Sequence, residues 1–183
     1  PLEQTLTAIQ SDHISFEVTN NVTTSLILLR QKDRARTLAA HSLVRHPLAE
    51  GLLRIRLQEL DERGDVAAIH ALTDSHLKEL PPLTLGILAE ISANRGDLVW
   101  HTNIMAAAEA SGLEPQKLDH LRVISIHAHW IAGNRTEAID AARTYLQEYP
   151  KQVFARAILG QMLQRLGKKS EALQETKRCL ADL

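Results

Sequence analysis

The chain has 183 residues, 44% hydrophobic and 23% charged, an ordinary balance for one globular domain or a short repeat array, which excludes a disordered or collagen-like chain. Its 21 Lys and Arg stand against 22 Asp and Glu, so a net charge of -1 provides no general attraction to nucleic acid or to an anionic membrane surface. The single cysteine, Cys179, excludes an internal disulfide and a thiolate zinc cluster, and no run approaches the roughly 18 apolar residues of a membrane span.

In chain order, residues 1–15 place Leu2, Leu6 and Ile9 on one face and read as a capping helix or the second half of a partial repeat. Residues 16–47 read as two helices meeting near Arg30, with Pro47 as the stop. Residues 50–81, 82–115, 119–150 and 153–183 each read as a further helix pair, apolar at separations of three and four, as in Leu121, Ile124, Ala128 and Ile131. Strand-like alternation is absent. Gly64, Gly96, Gly133 and Gly167, spaced 32, 37 and 34 apart, mark the turn inside each later pair, because a left-handed glycine closes a helix at no steric cost. Pro47, Pro81, Pro115 and Pro150, spaced 34, 34 and 35 apart, end the second helices. Asp65, Asp97 and Thr136 are expected to cap the helices that follow the turns.

A period of about 34 residues with these marks resembles the tetratricopeptide repeat family. The last two units carry the resemblance best. Gly133 is followed by Ala138, Tyr145 and Pro150, and Leu159-Gly160, Leu163, Gly167, Ala172 and Cys179 fall where the family has its leucine, small, large apolar, glycine, alanine and small residues. His101 stands where the family prefers alanine, and Arg30 where it prefers the turn glycine. The resemblance implies an all-α, right-handed superhelical solenoid of about five antiparallel helix pairs, with a concave face lined by the first helix of each pair.

Phosphate loops, GxSxG elbows, dinucleotide fingerprints, HExxH and EF-hand strings do not occur. His127 and His129 lie on different sides of one helix, and His120 and His127 are about 10.5 Å apart along it, so neither pair grips a metal; no cofactor is expected. Cys179 reads as a small packed residue. Basic clusters such as Arg34, Arg36 and Lys168, Lys169 lack the repeated stacking aromatics of an RNA-binding array and read as solvated faces.

The expected function is therefore that of a non-enzymatic scaffold holding a protein or peptide partner on its concave face. The residues projected there are Asn94, His120, Val123, His127, Trp130, Ile131, Phe154, Gln161, Gln164 and Arg165, with Trp130 either a binding anchor or a packing residue. If it is an anchor, Trp130→Ala leaves the fold intact. The alternatives are an accessory region of a larger enzyme, such as a glycosyltransferase or sulfotransferase, or of a transcriptional regulator, or a part in bacterial secretion or envelope assembly. The apolar stripe Leu173, Leu180 and Leu183 suggests that the parent chain continues or that two copies meet at the last unit. A soluble protein without membrane insertion or nucleic-acid binding is expected, in the cytoplasm rather than the periplasm.

Overall fold

The computed structural model describes residues 16–181, so the expected helix within residues 1–15, and Leu183 of the terminal stripe, lie outside the described residues. Among the described residues the chain is all-α, with ten α-helices and no strand. It divides into two compact units, one ending at Leu88 and one spanning Ala89–Leu183, and the division falls inside a helix.

The first unit contains α1 (Phe16–Leu28), α2 (Lys32–Leu43), α3 (Glu50–Glu62), α4 (Val66–Thr73), a 3-10 turn (Asp74–His76) and the start of α5 (Pro82–Arg95). The second contains the end of α5 and α6 (Leu98–Ala110), α7 (Pro115–Ile131), α8 (Arg135–Glu148), α9 (Val153–Arg165) and α10 (Lys169–Ala181). Helices adjacent in sequence pack together in each unit, α1 on α2 and α2 on α3 in the first, α6 through α10 successively in the second. Short connections and local pairing make each such pair an antiparallel hairpin.

One turn closes five of these hairpins. Gly64, Gly96, Gly133 and Gly167 all have positive φ, and so does Arg30, at φ 60. At each, the amide of the left-handed residue donates to the carbonyl three residues back and the next amide to the carbonyl five back. The Arg30 amide donates to Ile27 O at 2.9 Å and that of Gln31 to Leu26 O at 2.8 Å, while those of Gly167 and Lys168 donate to Gln164 O and Leu163 O at 3.0 Å each. This Schellman pattern satisfies two orphaned carbonyls and reverses the chain within three residues. Gly96 has a second reason to lack a side chain, because a Cβ there would lie 3.0 Å from the backbone of Ala132 in the turn between α7 and α8.

Two of the three expected caps are present. Asp65 accepts from the Ala68 amide at 3.1 Å and Asp97 from that of Trp100 at 3.0 Å. Thr136 instead lies inside the first turn of α8, because the left-handed residue is Gly133 and the cap position falls on Asn134. The helix expected to run toward Pro81 also stops early. At the end of α4 the Thr73 hydroxyl donates to Ile69 O at 2.8 Å, a side chain-to-backbone bond that weakens helix propagation, while Asp74 Oδ2 lies 2.9 Å from His70 Nδ1 across the last turn.

Packing follows the small residues. Ala35, Ala138 and Ala142 are fully buried, and Gly160 brings α9 close to α10, where an added Cβ would sit 3.8 Å from Ala172 O. Leu146, Leu159 and Leu163 fill the second unit's core as expected, whereas Leu173 and Leu180 on α10 are 57% and 67% exposed.

Because an L-residue in the left-handed region costs roughly 1–2 kcal/mol, Arg30→Gly should stabilise the protein by about 1 kcal/mol in urea unfolding. Gly64→Asn, at a turn open to solvent, should cost less than about 1 kcal/mol, and Gly96→Asn more than about 2 kcal/mol. Equal costs at the two glycines would contradict the close approach at Ala132.

Candidate functional site

The residues projected onto a binding face divide into two groups. Asn94 on α5, His120 and Ile131 on α7, and Phe154, Gln161, Gln164 and Arg165 on α9 are exposed, Phe154 at 60%, and His127 is half-buried. His120 Nε2 reaches within 3.7 Å of Glu90 Oε1 on α5. Val123 and Trp130 are each only 5% exposed and belong to the second unit's core, with Ile126, Ala138, Ile139, Leu159 and Leu163. At about 100° per residue, the outward stripe of α7 is His120, Ile124, His127 and Ile131, and the inward one is Val123, Ile126 and Trp130. The Arg135 guanidinium covers the Trp130 ring at 4.1 Å from its centroid and bonds its carbonyl oxygen. Trp130 is thus a packing residue in the folded chain.

The sequence reading did not single out a polar cluster deeper in this unit. His101 on α6 is 3% exposed and lies between two hydroxyls, Ser92 Oγ of α5 at 2.9 Å from Nδ1 and Ser125 Oγ of α7 at 2.8 Å from Nε2. Each serine is also placed to donate to its own helix, Ser92 to Ala89 O at 3.0 Å and Ser125 to Leu121 O at 3.1 Å. A neutral imidazole has one N–H, so one serine must turn its proton toward the ring and release its carbonyl. Desolvation pushes the His101 pKa below its ordinary value; the Ala89 carbonyl opposes this shift and nearby His129 adds to it.

The five turns show how unusual these residues are. Four residues before each left-handed position stand Leu26, Leu60, Ser92, His129 and Leu163; five after it stand Ala35, Ile69, His101, Ala138 and Ala172. Eight before it, Ser125 occupies the place of Val22, Arg56, Leu88 and Leu159. Two buried polar groups, Ser92 and His101, therefore stand where other turns have apolar residues, with Ser125 and His129 partly buried beside them. Apolar residues of similar shape at Ser92 and His101 could pack there at little cost, because a satisfied buried hydrogen bond contributes only about 0.5–1.5 kcal/mol net.

The cluster adjoins a cleft of about 500 Å³ formed by three helical stripes: Leu98, His101, Thr102, Met105 and Glu109 of α6; Arg122, Ser125, Ile126 and His129 of α7; and Ala141, Thr144, Tyr145 and Glu148 of α8. His129 Nδ1 is buried there without a hydrogen-bond partner. Arg122 is held by Asp119 at 3.3 Å and by the Tyr149 hydroxyl at 3.1 Å, and Tyr149 stacks on Tyr145 at 4.9 Å. Burial raises the Tyr145 phenol's pKa, with Asp119 adding to it.

Among the described residues no group of three or more His, Cys, Asp or Glu side chains could hold a metal ion. Cys179 Sγ lies 3.6 Å from Val153 O, in a partly buried contact between α10 and α9. No described helix is long and apolar enough to cross a membrane. No protein-family model and no curated protein matches the chain.

Trp130→Ala should cost about 3–5 kcal/mol of unfolding free energy, reversing the expectation for an exposed anchor; an unchanged melting temperature would contradict the packing role. His101 has a lowered folded pKa, so its unfolded state binds more protons as pH falls below about 6.5, and stability is lost in that direction. His101→Leu, which leaves both serines to their own carbonyls, should flatten the fall in melting temperature between about pH 7 and 5. An unaltered slope would place that titration elsewhere.

Proposed function

We propose that the chain is a tetratricopeptide-like helical-repeat module that holds a peptide or partner protein and performs no catalysis itself. The observation that carries this reading is the recurrence of one Schellman turn at residues 30, 64, 96, 133 and 167, a period of about 34 residues kept even where arginine must adopt the glycine conformation. A chain built from such hairpins stacks into a right-handed solenoid whose first helices present side chains to a partner.

In the second unit those first helices are α7 and α9. Their outward stripes combine apolar groups, Ile131 and Phe154, with hydrogen-bonding ones, His120, His127, Gln161, Gln164 and Arg165. An apolar anchor with polar neighbours is the composition by which a peptide is held and oriented. Trp130 is replaced in this role by Phe154, the exposed aromatic on the next first helix.

Peptides selected from a random display library against the wild-type chain should lose at least tenfold in affinity for a Phe154→Asp, Arg165→Glu variant, whose circular-dichroism melt should be unchanged because both side chains are exposed. Selection of no peptide, or full retention of affinity by the folded variant, would count against the reading.

A further inference from the structure

The two sides of the His101 ring join different things. Nδ1 lies against Ser92 at 2.9 Å, across the Gly96 turn and so inside one hairpin, while Nε2 lies against Ser125 of α7 at 2.8 Å and ties that hairpin to the next. Of the two serines only Ser125 lines the 500 Å³ cleft, as does His101 itself. The cleft therefore borders the joint between α6 and α7 and not the one inside the hairpin.

The ends of that joint are tethered. At one end a Cβ on Gly96 would lie 3.0 Å from the backbone of Ala132, so the turn before α6 rests directly on the turn after α7. At the other end only residues 111–114 connect α6 to α7. Between the tethers, the His101–Ser125 contact is the side-chain hydrogen bond that closes α6 on α7 along the cleft.

Protonation changes what this contact costs. An imidazolium would find an acceptor in each serine, so the bridge resists a proton through charge and not through a lost hydrogen bond. At 3% exposure the charge would be almost without solvent, and no carboxylate forms a hydrogen bond or ion pair with the ring among the described residues. The titratable and charged side chains that share the cleft with His101 are Glu109 on α6, Arg122 and His129 on α7, and Tyr145 and Glu148 on α8. On α5 the charged residues flanking Ser92 are Glu90, which lies 3.7 Å from His120, and Arg95. His129 acts on the ring and opposes its charge. A buried cation with no anion beside it is costlier than the one hydrogen bond gained. The cheapest source of solvent for it is the cleft, on the Ser125 side.

We propose that the Ser92–His101–Ser125 bridge is a proton-operated latch: the neutral ring closes α6 on α7, and protonation frees the Ser125 side, loosening α6 along the cleft while α9 and α10 stay packed. Desolvation holds the ring's pKa in the closed form below that of the opened one, so opening becomes easier as pH falls below about 6.5 and levels once the closed form is itself protonated.

The test is native-state amide hydrogen exchange of the full chain, resolved by NMR and corrected for intrinsic rates, at pH 7 and 5 over a series of sub-denaturing urea concentrations. Protection in α6 and the facing half of α7 should fall about tenfold between the two pH values, and at pH 5 its urea dependence should become shallow, the mark of a local opening. The most protected amides of α9 and α10 should keep the steep urea dependence of global unfolding at both. His101→Leu, and His101→Gln as a neutral variant whose amide can still bond a serine, should each hold the pH 7 behaviour of α6 at pH 5, whereas His129→Gln should lessen the fall without removing it. Read from its ring carbon shifts in the wild type, His101 should titrate below 6.5. No fall in α6, a fall that keeps the steep urea dependence of α9 and α10, or a wild-type ring titrating at or above 6.5 would overturn the proposal. So would the same fall in a folded His101 variant, or its complete removal by His129→Gln.

Discussion

Each of the five hairpins depends on one residue accepting a left-handed backbone, since that conformation lets two amides reach back to the last carbonyls of one helix while the chain reverses into the next. Glycine meets the requirement freely in four cases. Arg30 meets it at a steric cost, which shows that the surrounding contacts, with Leu26 and Ala35 fully buried on either side, are strong enough to impose it. Once these turns are fixed, adjacent helices are antiparallel and the alanines following them, Ala35, Ala138 and Ala172, lie where the hairpin halves approach. The outward faces of the helices are then free of structural duty.

The middle of the sequence departs from this economy. Around the turns at Gly96 and Gly133 it has Ser92, His101, Ser125 and His129, and the imidazole of His101, buried, joins Ser92 and Ser125 and so bridges α5, α6 and α7. An imidazole held neutral by burial between two hydroxyls makes the hairpin contact sensitive to protonation as an apolar contact would not be. His101, Ser125 and His129 also border the 500 Å³ cleft.

Much of the fold was legible because its determinants are local. Glycine and proline spacing identified four of the five left-handed glycine turns, missing Gly112 between α6 and α7, and the 34-residue offset pointed to Arg30 although its chemistry argued against it. The early end of α4 was not legible, since no breaker residue stands there and the local bond of the Thr73 hydroxyl to Ile69 O is not readable from periodicity. Nor was the cap after Gly133, shifted to Asn134 and lacking a side-chain bond. The site was read less well. Of the ten projected positions seven are exposed, whereas Val123 and Trp130 are buried in the core, because on α7 they lie beside the outward stripe and aliphatic residues occur on both. The cleft needs three helices side by side, which periodicity does not encode, although His101 in a small residue's place was its visible sign.

The repeat reading rests most heavily on Arg30, the one hairpin whose turn residue the sequence disfavours. Backbone chemical shifts and three-bond couplings of the full chain in solution report its φ directly, and hydrogen exchange reports whether the Gln31 amide is held by Leu26 O. A positive φ at Arg30 with a protected Gln31 amide is the result this account predicts. A negative φ there, with Gln31 exchanging freely, would contradict the first of the five turns and with it the common hairpin on which the proposed interaction module is built.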